Sequence, residues 1–130
     1  MVNSAYQDVA RLLTDYFDSL YDGNVPLMSG LYARQAHLVC VTDGTLSYMT
    51  VDQYLPLVAG REPPAARCEQ RRDEIVSIEF AGPVTCVARV RCAIGPKHFT
   101  DLLTLICLDG EWQIISKVYH FDLLWHDQPD

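Results

Sequence analysis

A chain of 130 residues with 49% apolar and 21% charged side chains has the length and composition of one folded domain around one core, and no stretch approaches the roughly 18 consecutive apolar residues of a membrane span. Seventeen acidic against ten basic side chains leave a net charge of −7, which repels polyanions and excludes generic binding to nucleic acid or to anionic membranes. The five cysteines are odd in number and lack Cys-x-x-Cys spacing, so they are expected to be reduced and mostly buried as small hydrophobes.

The opening Met1-Val2-Asn3-Ser4 has no basic stretch leading into an apolar run. No secretory signal is expected there, and a cytoplasmic location follows by default. From Ser4, read as an N-cap, Val9, Leu12, Leu13, Tyr16, Phe17, Leu20 and Tyr21 recur at spacings of three and four, which predicts one helix with a single apolar stripe. Asp22-Gly23-Asn24 stops it, and a second short helix can start at Pro26.

The β-rich run 37–41, the turn residues 42–45 and the run 46–49 read as a hairpin. Thr50-Val51-Asp52-Gln53 matches a capping box, opening a helix through Tyr54, Leu55 and Val58 that should end on Gly60 as a left-handed residue. Glu62-Pro63-Pro64 breaks regular structure. Arg67, Arg71 and Arg72 are interleaved with Glu69, Asp73 and Glu74 and read as a solvated, charge-mixed surface. Strands follow over 73–80, 84–94, 98–108 and 112–121, joined by short turns, so these four should form an antiparallel meander before a frayed polar tail, 127–130.

Asp109-Gly110 is a strong signal for a two-residue reversal, because both residues tolerate positive φ. If pairing continues without interruption, Leu105 lies opposite Ile114, Asp101 opposite Val118 and Phe99 opposite His120. One face then carries Phe99, Asp101, Leu103, Leu105, Cys107, Trp112, Ile114, Ser116, Val118 and His120. It should meet the helical stripe, with Trp112 near the turn and the titratable pair Asp101 and His120 at the far end. The small residues Cys86, Ala88, Val90 and Cys92 of the preceding strand leave room beside them. The opposite face, with Leu102, Ile106, Ile115 and Tyr119 among its members, is too hydrophobic to be simply wet and predicts a dimer surface.

Several segments carry a family resemblance: 16–24, with Tyr16-Phe17-Asp18-Ser19-Leu20; 58–61, Val58-Ala59-Gly60-Arg61; 99–105, Phe99-Thr100-Asp101-Leu102-Leu103-Thr104-Leu105; and 109–120, with Asp109-Gly110-Glu111-Trp112. With this order of elements, almost the whole chain resembles the nuclear transport factor 2-like superfamily, an α+β, cystatin-like cone of helices on a curved antiparallel sheet. Within it the chain looks like the putative lumazine-binding branch. The resemblance implies one domain over 1–130, a homodimer through the outer sheet face, and a small, mostly apolar organic ligand in the cone. The superfamily includes ketosteroid isomerases, polyketide cyclases, epoxide hydrolases and scytalone dehydratases as well as members without enzymatic activity, so the fold alone does not choose a reaction. The resemblance implies a Tyr with two carboxylic acids for an isomerase and an Asp-Arg-Asp set for an epoxide hydrolase; no second inward Asp and no inward Arg is expected here, which departs from both.

Asp101 and His120 can act as an acid/base pair in a dehydratase, isomerase or cyclase type of reaction, Asp101 orienting the imidazole that moves the proton. Tyr16, Tyr32 and His37 are candidate polar ligand contacts, and Phe99, Leu103, Trp112 and Val118 candidate apolar ones. The other reading is a non-catalytic binding or dimerisation domain in which the polar pair satisfies itself. His37, His98, His120 and His126 form no metal-ligand spacing, and there is no glycine-rich phosphate loop, so neither a metal nor a cofactor is expected.

Overall fold

A computed structural model of the protein describes the backbone of residues 2–124 and the side chains of 4–124. The tail 127–130 and His126 lie outside the described residues. Among the described residues three helices, α1 (Val2–Asp22), α2 (Val25–Ser29) and α3 (Val51–Gly60), accompany six strands: β1 (Tyr32–Cys40), β2 (Ser47–Thr50), β3 (Glu74–Phe80), β4 (Thr85–Ile94), β5 (Lys97–Leu108) and β6 (Glu111–Leu123). A 3-10 turn, Pro64–Arg67, follows α3. No helix among the described residues is long and apolar enough to cross a membrane.

The helices form where the residue pattern places them, with shifted ends. The first begins at Val2, so Ser4 lies inside it and is no cap. Asn24 does cap α2, its side chain accepting from the Leu27 amide. The Thr50 hydroxyl accepts from the Gln53 amide and the Gln53 side chain from the Thr50 amide, the reciprocal box that opens α3. Gly60 ends α3 but is not left-handed; Arg61 takes over as an extended C-cap with φ −104°.

The sheet order is β2-β1-β6-β5-β4-β3. The meander runs as expected, but β1 pairs parallel with β6, so the α+β sheet is mixed rather than wholly antiparallel. Sequence pattern sees hairpins, because their turns are local; a parallel pairing between the third element and the last has no local mark. Val9, Leu13 and Tyr16 of α1 are fully buried with Ala88, Val90, Leu103, Leu105 and Ile114 of the sheet. Truncating one of these leucines to alanine costs about 2–5 kcal/mol, the range for a core site that cannot collapse. Arg71 ties the segment after the 3-10 turn to α1, 2.8 Å from Asp18 and stacked over Tyr21.

The reversal at Asp109-Gly110 has both residues at positive φ, 53° and 81°, and Leu108 pairs with Glu111. Pairing holds through Leu105 and Ile114, and then it shifts. Thr104 pairs with Ser116, leaving Ile115 as one extra residue in β6, a β-bulge. The pairing of β6 with β1 is irregular at the same place, jumping from Tyr32 and Ile114 to His37 and Ser116. Because side chains alternate with a period of two, one extra residue sends everything beyond it to the other face. Lys117, Tyr119 and Phe121 therefore point inward, and Ser116, Val118 and His120 outward, the reverse of the expectation from uninterrupted pairing.

Candidate polar site under α3

Asp101 is unaffected by the bulge, because β5 pairs with β4 without a break and Asp101 falls opposite inward Val90. Its side chain is fully buried. The Tyr16 hydroxyl, reaching down from α1, donates to Oδ2 at 2.5 Å. Lys117 Nζ lies 3.9 Å from the same oxygen and is itself buried. The ammonium sits 5.2, 5.3 and 5.5 Å from the ring centroids of Tyr119, Tyr16 and Tyr54, so three aromatic faces add attraction where water is excluded.

These partners set the protonation states. Burial, the largest single influence, disfavours the Lys117 ammonium, but the Asp101 carboxylate together with Tyr54, Tyr32 and Cys92 more than offsets it and holds the ammonium above the usual lysine range. An ammonium is no nucleophile, so the site suits proton transfer and charge stabilisation rather than imine formation. Burial, reinforced by Asp101, pushes the Tyr16 phenol well above its ordinary value, and burial raises Tyr32 likewise. The neighbouring Cys92 thiol is pushed up to about 12 by burial and then by Asp101, so it is no thiolate nucleophile near neutrality. Asp101 Oδ1 and the Tyr32 hydroxyl are buried without a hydrogen-bond partner among the described residues. Native structures leave few such atoms, and each calls for an explanation, a catalytic role or a bound water among them.

A cavity of about 210 Å³ opens beside this pair. Asp101 and Lys117 line it with Phe99, Tyr119 and Phe121 of the sheet and Tyr54 of α3. The volume is smaller than the roughly 300–1,000 Å³ of drug-sized sites and suits a one- or two-ring molecule. Among the described residues no group of three His, Cys, Asp or Glu side chains could hold a metal ion.

Of the residues expected at a site, Asp101 and Phe99 line the cavity, while Tyr16 of α1 and Tyr32 of β1 are buried and do not. Leu103 is core, and Trp112 packs edge-on against Phe80 with centroids 5.8 Å apart. His120, Val118 and His37 were expected to face the ligand and do not. The bulge turns Val118 and His120 out, where Val118 is 43% exposed and His120 contacts Thr42 at 2.9 Å and Asp122 at 3.0 Å. His37 alternates with the inward Ala36 and Leu38, so it lies outside, near Ser116 and stacked on Tyr48. Lys117 went unseen as the partner of Asp101, yet the sequence holds a signal: the apolar doublet Ile114-Ile115 breaks the alternation, as a bulge does.

The sequence pattern of the putative lumazine-binding family matches residues 4–120. The chain belongs to that family. This putative lumazine-binding domain also has the fold of solved nuclear transport factor 2-like proteins. One of unknown function from Shewanella baltica superimposes with a TM-score of 0.83 at 21% identity, covering 94% of this chain and 97% of the other. Another from Silicibacter pomeroyi gives 0.80 at 19%, covering 94% and 99%. A ketosteroid isomerase-like protein from Erwinia carotovora atroseptica gives 0.69 at 11%, covering 95% and 96%. An aldolase, FrzH of Cladobotryum sp, is 35% identical over 40 residues, which span 29% of this chain and 32% of that protein.

Proposed function

We propose that this domain binds a small ring-containing carbonyl compound in the cavity and that Asp101 moves a proton on it. The observation that carries this reading is the free Oδ1 of a buried carboxylate whose other oxygen is held by Tyr16 and Lys117. In the proposed step Oδ1 takes a proton from the carbon beside the carbonyl. The C–H electron pair becomes the new C=C bond, and the carbonyl π pair moves onto oxygen. The developing enolate is stabilised by the Lys117 ammonium and by the Tyr119 or Tyr54 hydroxyl. Return of the proton to the enolate oxygen gives the enol isomer, and its return to the same carbon restores the carbonyl compound with its hydrogen exchanged; neither needs a further reactant. The short likeness to an aldolase agrees with this chemistry, since an aldol step also begins at a carbon acid.

The outer sheet face exposes Val87, Leu102 and Val118 at 41%, 40% and 43%. A second copy of the chain is the occupant that fits this reading, because an antiparallel sheet face of this apolarity is otherwise wetted at a cost.

The test of proton transfer is exchange of the activated α-protons of phenylacetone in deuterium oxide, followed by NMR. The wild-type chain should accelerate exchange over buffer and Asp101→Asn should abolish the acceleration while still folding. Equal acceleration by both proteins would remove Asp101 from the proton transfer, and exchange by the wild type no faster than in buffer would leave a binding domain without catalysis.

A further inference from the structure

The net charge of the chain is −7, yet the residues lining the cavity include three cations, Arg61, Lys97 and Lys117, and one carboxylate, Asp101. Lys117 and Asp101 answer each other, which leaves Arg61 and Lys97 as surplus positive charge. Arg61 is the C-cap of α3 and its Nη2 is buried with no hydrogen-bond partner among the described residues. The Lys97 ammonium lies 4.7 Å from the Phe121 ring centroid. A guanidinium is costly to desolvate without an acceptor, and its planar fork matches a carboxylate. The rings of Phe99, Tyr119 and Phe121 line the same space.

The geometry points to an organic acid as the ligand: a small aryl or polyene carboxylate whose ring lies against the aromatic wall and whose acid group meets Arg61, with Lys97 adding attraction. This deepens the reading given above, and it makes the molecule on which Asp101 acts an anion anchored through a group remote from the reacting carbon. Such an anchor supplies binding energy that holds the reacting atoms in place. It also accounts for Arg61 standing at a wall of the cavity while the Asp101–Lys117 pair lines the sheet side of the same space.

Calorimetric titration of the full chain with cinnamate and with its neutral near-isostere cinnamamide separates the two ideas. The wild type should prefer the acid by about tenfold or more, the scale of one charge-assisted, partly buried contact. Arg61→Gln should remove most of that preference with little change in amide affinity, and Arg61→Lys should keep part of it. Equal affinities for acid and amide in the wild type, or a preference undiminished in Arg61→Gln, would overturn the acid assignment and leave the cavity as a site for neutral carbonyl compounds. If neither compound binds, the cavity is no site for ring-containing ligands, and both readings fall together.

Discussion

Lys117 and Asp101 are each tolerable in the interior only because of the other. Taking a charged group out of water costs several kcal/mol, and removing one member of a buried pair leaves that cost unanswered on its partner. Lys117→Met should therefore destabilise the fold by about 3–5 kcal/mol, whereas the double change Lys117→Met with Asp101→Asn should cost clearly less than the sum of the single ones. Urea unfolding of the four proteins measures this; a neutral or stabilising Lys117→Met would mean the pair is not formed. The same site gives stability a dependence on alkaline pH. Lys117, Tyr16 and Tyr32 all hold their protons in the folded chain beyond the ordinary values of 10.5 and 10.0. Below about pH 10 both folded and unfolded chains keep these protons and the stabilisation is complete; above it the unfolded chain releases protons that the folded chain retains, and stability falls. The urea midpoint should begin to fall near about pH 9, where the unfolded chain releases the Cys92 and Cys86 thiol protons, and drop more steeply above about pH 10; a midpoint unchanged from neutrality to about pH 11 would contradict the assignment.

The capping box of α3 matters because that helix carries Tyr54, Leu57 and Arg61 along one wall of the cavity. Thr50→Ala removes an acceptor for the Gln53 amide and should cost about 1 kcal/mol of stability. Fraying of the first turn should also weaken cinnamate binding, so an affinity that stays constant while stability falls would show that α3 does not shape the site. Among the elements, α1, the box at Thr50 and the meander through Asp109-Gly110 were legible because each is marked by neighbours in sequence: a helical stripe, a reciprocal cap, two residues at positive φ. Asp101 was legible too, since β4 and β5 pair without interruption. What escaped was non-local. The bulge at Ile115 and the parallel pairing of β1 with β6 occur at the same point, and only the contact between distant segments requires both. Ile114-Ile115 hints at the shift, but alternation read straight through it exchanges Lys117 for His120, and with it the partner of Asp101.

At the scale of the whole molecule, the bulge divides the sheet into two environments. Inside, the helices close over a small polar site within an apolar core; outside, Leu102 and Val118 lie opposite one another as an apolar stripe. The proposed dimer should appear in light scattering of the wild type and Leu102→Glu should convert it to a monomer, with the fold and the cavity retained; a molar mass identical to wild type would exclude this face as the contact. The division into inner and outer faces also decides which side chains line the cavity in which we propose proton transfer. The most direct test is the exchange of phenylacetone α-protons by His120→Ala beside Lys117→Met. Exchange by His120→Ala at the wild-type rate, with loss in Lys117→Met, is the result predicted from the inward turn of β6 at Ile115. Loss in His120→Ala with exchange retained in Lys117→Met would place the imidazole beside Asp101 and contradict the site described above.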